Sequence, residues 1–350
     1  MEKHKIFSMP IVRKEFQRFA SHRMFIQHFG SLTDYANHRE HCKKRFTESL
    51  KMSLLNGENE SNHQVINDNC LKVLSKLSNK IDLTFLDPPF NQRKDYASHN
   101  DDLPENEYWE MIEKTCEQIF EKTSEGGAIY FMQREKNSEQ VLRVLRETGW
   151  TFQNLIIWKK MTSAVPGQMR FGKSFQTIVF ATKGKRPRVF NRLRINPPLL
   201  KHHKYERENG MFVTDVWDDI RELTSGYFAG DEAIKKESGE RFHKQQSPIA
   251  LLLRIILSSS NIDDLVIDPF SGTGTTSVVA KQLHRNSISI EIDKTNFENI
   301  ENRLANLRIA DDIEKFYKDY ICTENLEDIC GKVVSNVVPE IGKAAALFKI

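Results

Sequence analysis

The chain has 350 residues, 39% of them hydrophobic, with a formal net charge of +3, which is enough for one large α/β domain plus an accessory region. No apolar run approaches the ~18 residues needed to span a bilayer, and the charged start MEKHKIFSMP has no signal-peptide core, so a cytoplasmic protein without a membrane partner is expected. Five scattered cysteines form no CxxC pair, and His38, His41 and Cys42 lack a fourth ligand, so neither a disulfide framework nor a metal is expected.

Residues 1–60 read as a basic, helical N-terminal extension, with Phe16, Phe19, Phe25, Ile26 and Phe29 set among Arg and His; the first 50 residues hold ten Lys/Arg against five Asp/Glu. SLLNGENESN, residues 53–62, is linker-like. Val65-Ile66 starts a strand that leads into Asn67-Asp68-Asn69, and a helix follows over 70–77. Residues 82–87, DLTFLD, form a buried strand that ends in Asp87-Pro88-Pro89-Phe90. A helix over 108–120 places Trp109, Ile112, Cys116, Ile119 and Phe120 on one side. After Gly126-Gly127 come a strand at 128–132, a helix at 138–146, and strands at 154–158 and 176–182.

Between 183 and 246 the periodicity dissolves. Residues 182–209 hold nine Lys/Arg against two Asp/Glu, which suggests a polyanion partner. The stretch is too long for an ordinary loop. An apolar helix at 248–257 then leads into DLVIDPFSGTGTTSVVAKQLHRNSISIEID, residues 264–293. Here Leu265, Val266 and Ile267 make a buried strand, Phe270-Ser271-Gly272-Thr273-Gly274 a turn, and residues 275–283 a helix; Ile288 and Ile290 lie in a second strand that ends at Glu291. The glycines let backbone approach a ligand, the helix start offers free N–H groups, and a carboxylate about 20 residues on suits ribose hydroxyls. Position 277 is Ser rather than a third glycine, and no GK[ST] is present to hold a triphosphate. Seven strands alternating with helices give an α/β, doubly wound, mostly parallel sheet.

DPFSGTGTT with its downstream EID, and DPPF far upstream, resemble the two signatures of the amino-group DNA methyltransferases. DPPF precedes the basic variable stretch and DPFSGTG follows it, which is the circularly permuted order of the β group. IIWKK at 156–160, FATKG at 180–184, DVW at 215–217 and NDNCLKVL at 67–74 are similar to further family segments, as is HKQQSPIAL at 243–251, with Ser247 where Lys is usual. The resemblance implies a seven-stranded methyltransferase sheet in which 176–182 runs antiparallel. It divides the chain into a catalytic half (61–183), a target-recognition region (184–240), a cofactor half (241–310) and a C-terminal tail (311–350). S-adenosylmethionine is the implied cofactor, bound by Asp68, Asp268, Phe270, Ser271, Gly272, Thr273, Gly274, Thr275 and Glu291. Side chains added at Gly272 or Gly274 are expected to obstruct that binding.

Asp87, Pro88, Pro89 and Phe90 are the implied catalytic residues. An exocyclic amine is a poor nucleophile while its lone pair is conjugated with the base. A carboxylate and a backbone carbonyl accepting both its N–H bonds favour a pyramidal nitrogen, and an aromatic ring can stack on the extruded base. The implied partners are double-stranded DNA, with Arg186, Arg188, Arg192 and Arg194 expected on phosphates, and a restriction endonuclease acting on the same site. Asp at position 87 favours adenine N6, because β-group cytosine-N4 enzymes more often carry Ser there. Cytosine N4 is the alternative, with methylation of RNA or of protein glutamine, or a decayed non-catalytic module, behind it.

Overall fold

Alternation along single strands builds the layers. In the computed structural model, Ala128, Tyr130 and Met132 of one strand enter one buried cluster while Ile129 and Phe131 enter another on the opposite face. The structure describes residues 61–78, 80–91, 102–160, 168–195, 209–223, 230–236, 239, 242 and 245–330, all of them in one compact unit. The expected N-terminal extension, the His38, His41 and Cys42 group, and residues 331–350 lie outside the described residues.

The elements in chain order are β1 (His63–Asn67), α1 (Cys70–Lys76), β2 (Ile81–Leu86), α2 (Glu105–Lys122), β3 (Thr123–Arg134), α3 (Ser138–Glu147), β4 (Thr151–Lys159) and β5 (Phe175–Thr182). Three two-residue strands follow: β6 (Arg194–Ile195), β7 (Met211–Phe212) and β8 (Val216–Trp217). The chain continues through α4 (Ile249–Ser259), β9 (Leu265–Asp268), α5 (Thr275–Gln282), β10 (Asn286–Glu291), α6 (Lys294–Ala305), α7 (Glu314–Tyr320) and α8 (Leu326–Cys330).

The main sheet has the order β1-β10-β9-β2-β3-β5-β4-β8. All seven expected strands are present, and β8 adds an eighth at the β4 edge. Strand β5 pairs antiparallel with both β3 and β4, as expected; the other pairings are parallel. Helices α2 and α3 cover one face through Ile112, Cys116, Ile119, Val141 and Val144. Helix α4, IALLLRIILSS, is buried all round and forms the heart of the other face.

Two buried cations tie later segments to that face. Arg254 of α4 makes a bidentate pair with Asp219 (2.9 and 2.5 Å) and donates to the Tyr320 hydroxyl (3.0 Å). Arg303 of α6 does the same with Asp311 (3.0 and 2.7 Å). Residues 311–330, set apart from sequence as part of a tail, are therefore integral: Ile313, Tyr320 and Cys330 are core residues. Their short helices carry too weak a periodicity to announce this, and the anchors of Arg254 on Asp219 and Tyr320 are long-range.

Candidate active site

Four parallel strands that are neighbours in the sheet deliver acidic residues to one rim. Asp68 follows β1, Glu291 ends β10, Asp268 ends β9 and Asp87 follows β2. The carboxyl ends of open α/β sheets are where ligands bind. At ~4.8 Å per strand, Asp87 stands about one strand from Asp268 and two from Glu291. The DPPF and FSGTGT motifs, 180 residues apart in the chain, thus share one rim because β2 and β9 pair directly.

The glycine turn is closed by its own hydrogen bonds. Asp268 accepts from the Phe270 amide (3.1 Å) and from Thr276 Oγ1 (2.5 Å), and Ser271 Oγ donates to the Asp268 carbonyl (2.7 Å). The Ser271 amide reaches the Ile290 carbonyl (3.0 Å), and the Gly272 amide donates to Glu291 Oε2 (2.8 Å). Glu291 Oε1 accepts from the Asp293 amide (2.9 Å). Gly272 and Gly274 have φ of 54° and 73°, the left-handed region that favours glycine.

Burial pushes the Asp268 carboxyl up to about 7, against the opposing hydrogen bonds from Thr276 and Phe270 and with the nearby Glu291 charge adding to the rise. Glu291 is likewise raised by burial, and the Asp293 and Gly272 amides counter it. Asp268, Ser271, Thr273 and Thr275 are buried, while Phe270 and Gly272 are partly open. The Asp68 side chain is 46% exposed beside Lys72, and its Oδ1 accepts from the Asn69 amide.

For Gly274 the structure adds a reason for the glycine. A Cβ there would lie 2.7 Å from Cγ2 and 2.9 Å from Cγ1 of Ile300, which is fully buried in α6. Packing behind the turn is by itself enough to require the glycine.

Asp87 Oδ2 accepts from Ser247 Oγ at 3.3 Å. Ser247 sits just before α4, whose first amide, at Ile249, donates to Glu232 Oε1 (2.6 Å). Gln246 is pinned by its donation to the Glu232 carbonyl (3.0 Å) and by acceptance from the Ile234 amide (2.9 Å). Pro88 is buried and Pro89 is partly exposed. Phe90, expected to stack on a base, is only 5% exposed, so stacking on it requires its surroundings to shift. The next residue, Asn91, clasps Leu103 through two hydrogen bonds (2.7 and 2.8 Å).

Lys160, whose segment the sequence marked without giving it a role, joins this rim just past β4. Its Nζ lies 3.0 Å from the Trp158 ring centroid. Burial lowers its pKa to about 7, while the charges of Glu222 and Asp87 act the other way. The doublet Lys159-Lys160 was a visible signal, but only the fold decides which lysine is desolvated.

Arg188, one of the arginines expected on DNA, sits elsewhere. Because β5 runs antiparallel, it returns the chain to the amino rim. There Arg188 pairs with Asp264 (2.5 Å) and Asp82 (3.2 Å), at the starts of β9 and β2. Arg192 and Arg194 lie over the Phe212 ring, at 4.0 and 3.8 Å. On the carboxyl rim the β4–β5 connection instead presents Met169 and Phe171, 96% and 97% exposed, with Arg170 exposed between them. Lys173, at its base, pairs with Glu135 at 2.5 Å.

Among the described residues no cluster of His, Cys, Asp or Glu could hold a metal, and no helix is long and apolar enough to cross a membrane. The rim does fit a cationic nucleoside cofactor. Two carboxylates, at Asp68 and Glu291, and the partly open Phe270 ring lie along it.

A family model described as DNA methylase, of the N6/N4 group, matches residues 81–302. The type II methyltransferase M.HpaI of Haemophilus parainfluenzae is 31% identical over 243 residues, covering 69% of this chain and 74% of that protein. M.HinfI of Haemophilus influenzae is 29% identical over 270 residues, 71% of this chain and 70% of its own. The solved structure of the cytosine-N4-specific PvuII DNA methyltransferase shares the fold with a TM-score of 0.52 at 19% identity, over 75% of this chain and 94% of that one.

Proposed function

The chain belongs to the amino-group DNA methyltransferases of the N6/N4 family, and on that premise we propose that it methylates adenine N6 in duplex DNA, as the modification enzyme of a restriction–modification pair. The observation that carries the reading is Asp87-Pro88 at the carboxyl end of β2, one strand from the glycine turn and with Asp87 held by Ser247. Asp87 and the Pro88 carbonyl accept the two N–H bonds of the target amine and draw its lone pair out of conjugation. The prolines fix φ and keep these acceptors still. Phe90 stacks on the extruded base once its cover has shifted.

S-adenosylmethionine, the family's methyl donor, supplies when bound a methyl group already activated on a sulfonium. We assign Asp68, Phe270, Glu291 and the backbone of Gly272 to holding it; Asp268, Ser271, Thr273, Gly274 and Thr275 shape the turn that presents them. The acidic rim suits a cationic cofactor. Because the nucleophile is on the substrate, no covalent enzyme intermediate is required; among the described cysteines, Cys70, Cys116 and Cys330 are buried with raised pKa values. We place the DNA along the carboxyl rim, against Arg170, Phe171 and Lys160. The proposed partner is an endonuclease that cuts the same site.

An Asp rather than a Ser at position 87 supports adenine over cytosine. The test is digestion of DNA from cells expressing the protein, with mass spectrometry of the nucleosides. N6-methyladenine is expected; N4-methylcytosine alone would refute adenine and leave the family standing.

A further inference from the structure

Behind the rim, one buried carboxylate faces both halves of the site. Asp311 is fully buried and accepts from two guanidiniums at once. Arg303 donates to it through Nε (3.0 Å) and Nη2 (2.7 Å), and Arg308 through Nε (2.9 Å) and Nη2 (2.6 Å). Each arginine has a second task. Arg303 Nη1 donates to the Thr273 carbonyl (2.8 Å) and to Thr275 Oγ1 (3.1 Å), gripping the glycine turn from behind. Arg308 Nη2 donates to the Glu232 carbonyl (3.0 Å), the same oxygen that Gln246 engages. Gln246 is followed directly by Ser247, which contacts Asp87.

We propose that Asp311 is the common anchor of the active site: through Arg303 it positions the cofactor turn, and through Arg308, Glu232 and Gln246 it sets Ser247 against Asp87. This rests on the reading of the rim as a methyltransferase site. None of the three residues touches a reacting group, so all act as positioning residues. Their arrangement has a physical logic. A planar guanidinium holds carboxylate and carbonyl oxygens in fixed relative directions, which a lysine does not. Buried ionic groups contribute little net stability but lock geometry when every donor is satisfied. Here the carboxylate oxygens each accept two bonds, and the remaining guanidinium donors that are in play go to the Thr273 and Glu232 carbonyls and to Thr275 Oγ1, in the two segments to be aligned.

The two arms separate experimentally. In the full-length protein, Arg303→Lys should weaken S-adenosylmethionine binding by about tenfold, the loss expected for charge-assisted hydrogen bonds to the turn. Its single-turnover methylation rate at saturating cofactor should stay within about threefold of the parent. Arg308→Gln should show the reverse: unchanged cofactor affinity in calorimetry and a single-turnover rate down by about tenfold. Ser247→Ala should lower the rate similarly, and combining it with Arg308→Gln should add nothing, because both act on Asp87 by one route. Asp311→Asn should impair both quantities. Should that variant fail to fold, Arg308→Gln decides, since its side chain is 32% exposed and lies at the edge of the cluster. Proportional changes in binding and rate in both arginine variants, or no change in either, would overturn the proposal. A parent protein that transfers no methyl group to DNA would overturn the functional reading instead, and the cofactor-binding arm of the test holds whichever base is methylated.

Discussion

Gly274→Ala isolates one glycine's task. The residue has φ of 73°, and a Cβ in the left-handed region costs roughly 1–2 kcal/mol. The added methyl would stand 2.7 Å from Ile300 Cγ2 and 2.9 Å from Cγ1, where overpacking costs typically ~1–3 kcal/mol. Ile300 is fully buried and has no solvent to swing into. The sum is a destabilisation of about 2–5 kcal/mol, read as a lower urea midpoint with unchanged slope. The clash also predicts a coupling. Ile300→Ala alone should cost about 2–5 kcal/mol as a cavity. The double variant should be less destabilised than the sum by about 1–3 kcal/mol, because Ile300→Ala removes the atoms that the new methyl strikes. An unchanged midpoint together with lost cofactor affinity would refute the reasoning, since the side chain would then face the ligand. Strict additivity of the two substitutions would refute the contact itself.

Asp87→Ala should abolish methyl transfer while cofactor affinity, measured by calorimetry, stays within several-fold of the parent; equal loss of both would remove Asp87 from the target side. Asp268 has a folded pKa of about 7, above its usual value of 3.8, so its ionised form is disfavoured in the fold. Stability from the protonated group is present below pH ~4 and lost as pH rises through about 7. Asp268→Asn should therefore gain thermal stability over the parent as pH rises from 4 to 8, and a pH-independent difference would contradict the assignment. Arg188→Met should lower the urea midpoint and leave the salt dependence of DNA binding unchanged, whereas Arg170→Ala should flatten that slope by up to ~0.9, one phosphate contact. The opposite pattern would return the DNA to the amino rim.

The local half of this protein was legible from residue order alone. Buried strands announce themselves by apolar runs such as LTFL and LVI, and glycine turns by their spacing, because both depend on neighbours a few residues away. The acidic ends of β1, β2, β9 and β10 were placed for the same reason, and the antiparallel β5 followed from the family order. What only the tertiary structure decided depends on contacts across the chain. Ile300, 26 residues past Gly274, dictates that glycine, and Phe90 lies covered at the end of its own motif. The direction of β5 sends Arg188 to the rim opposite Asp87, so one arginine of a run that reads as a DNA contact braces two strand starts. Asp311 looked like the start of a tail, because an Asp-Asp pair among short helices has no local signature. Arg308 meets it within a single turn, but the grip of Arg303 on both Asp311 and the glycine turn exists only when α6 folds against that turn. Desolvation, ion pairing and packing are properties of the space around a residue, and the order of residues encodes that space only through the whole fold.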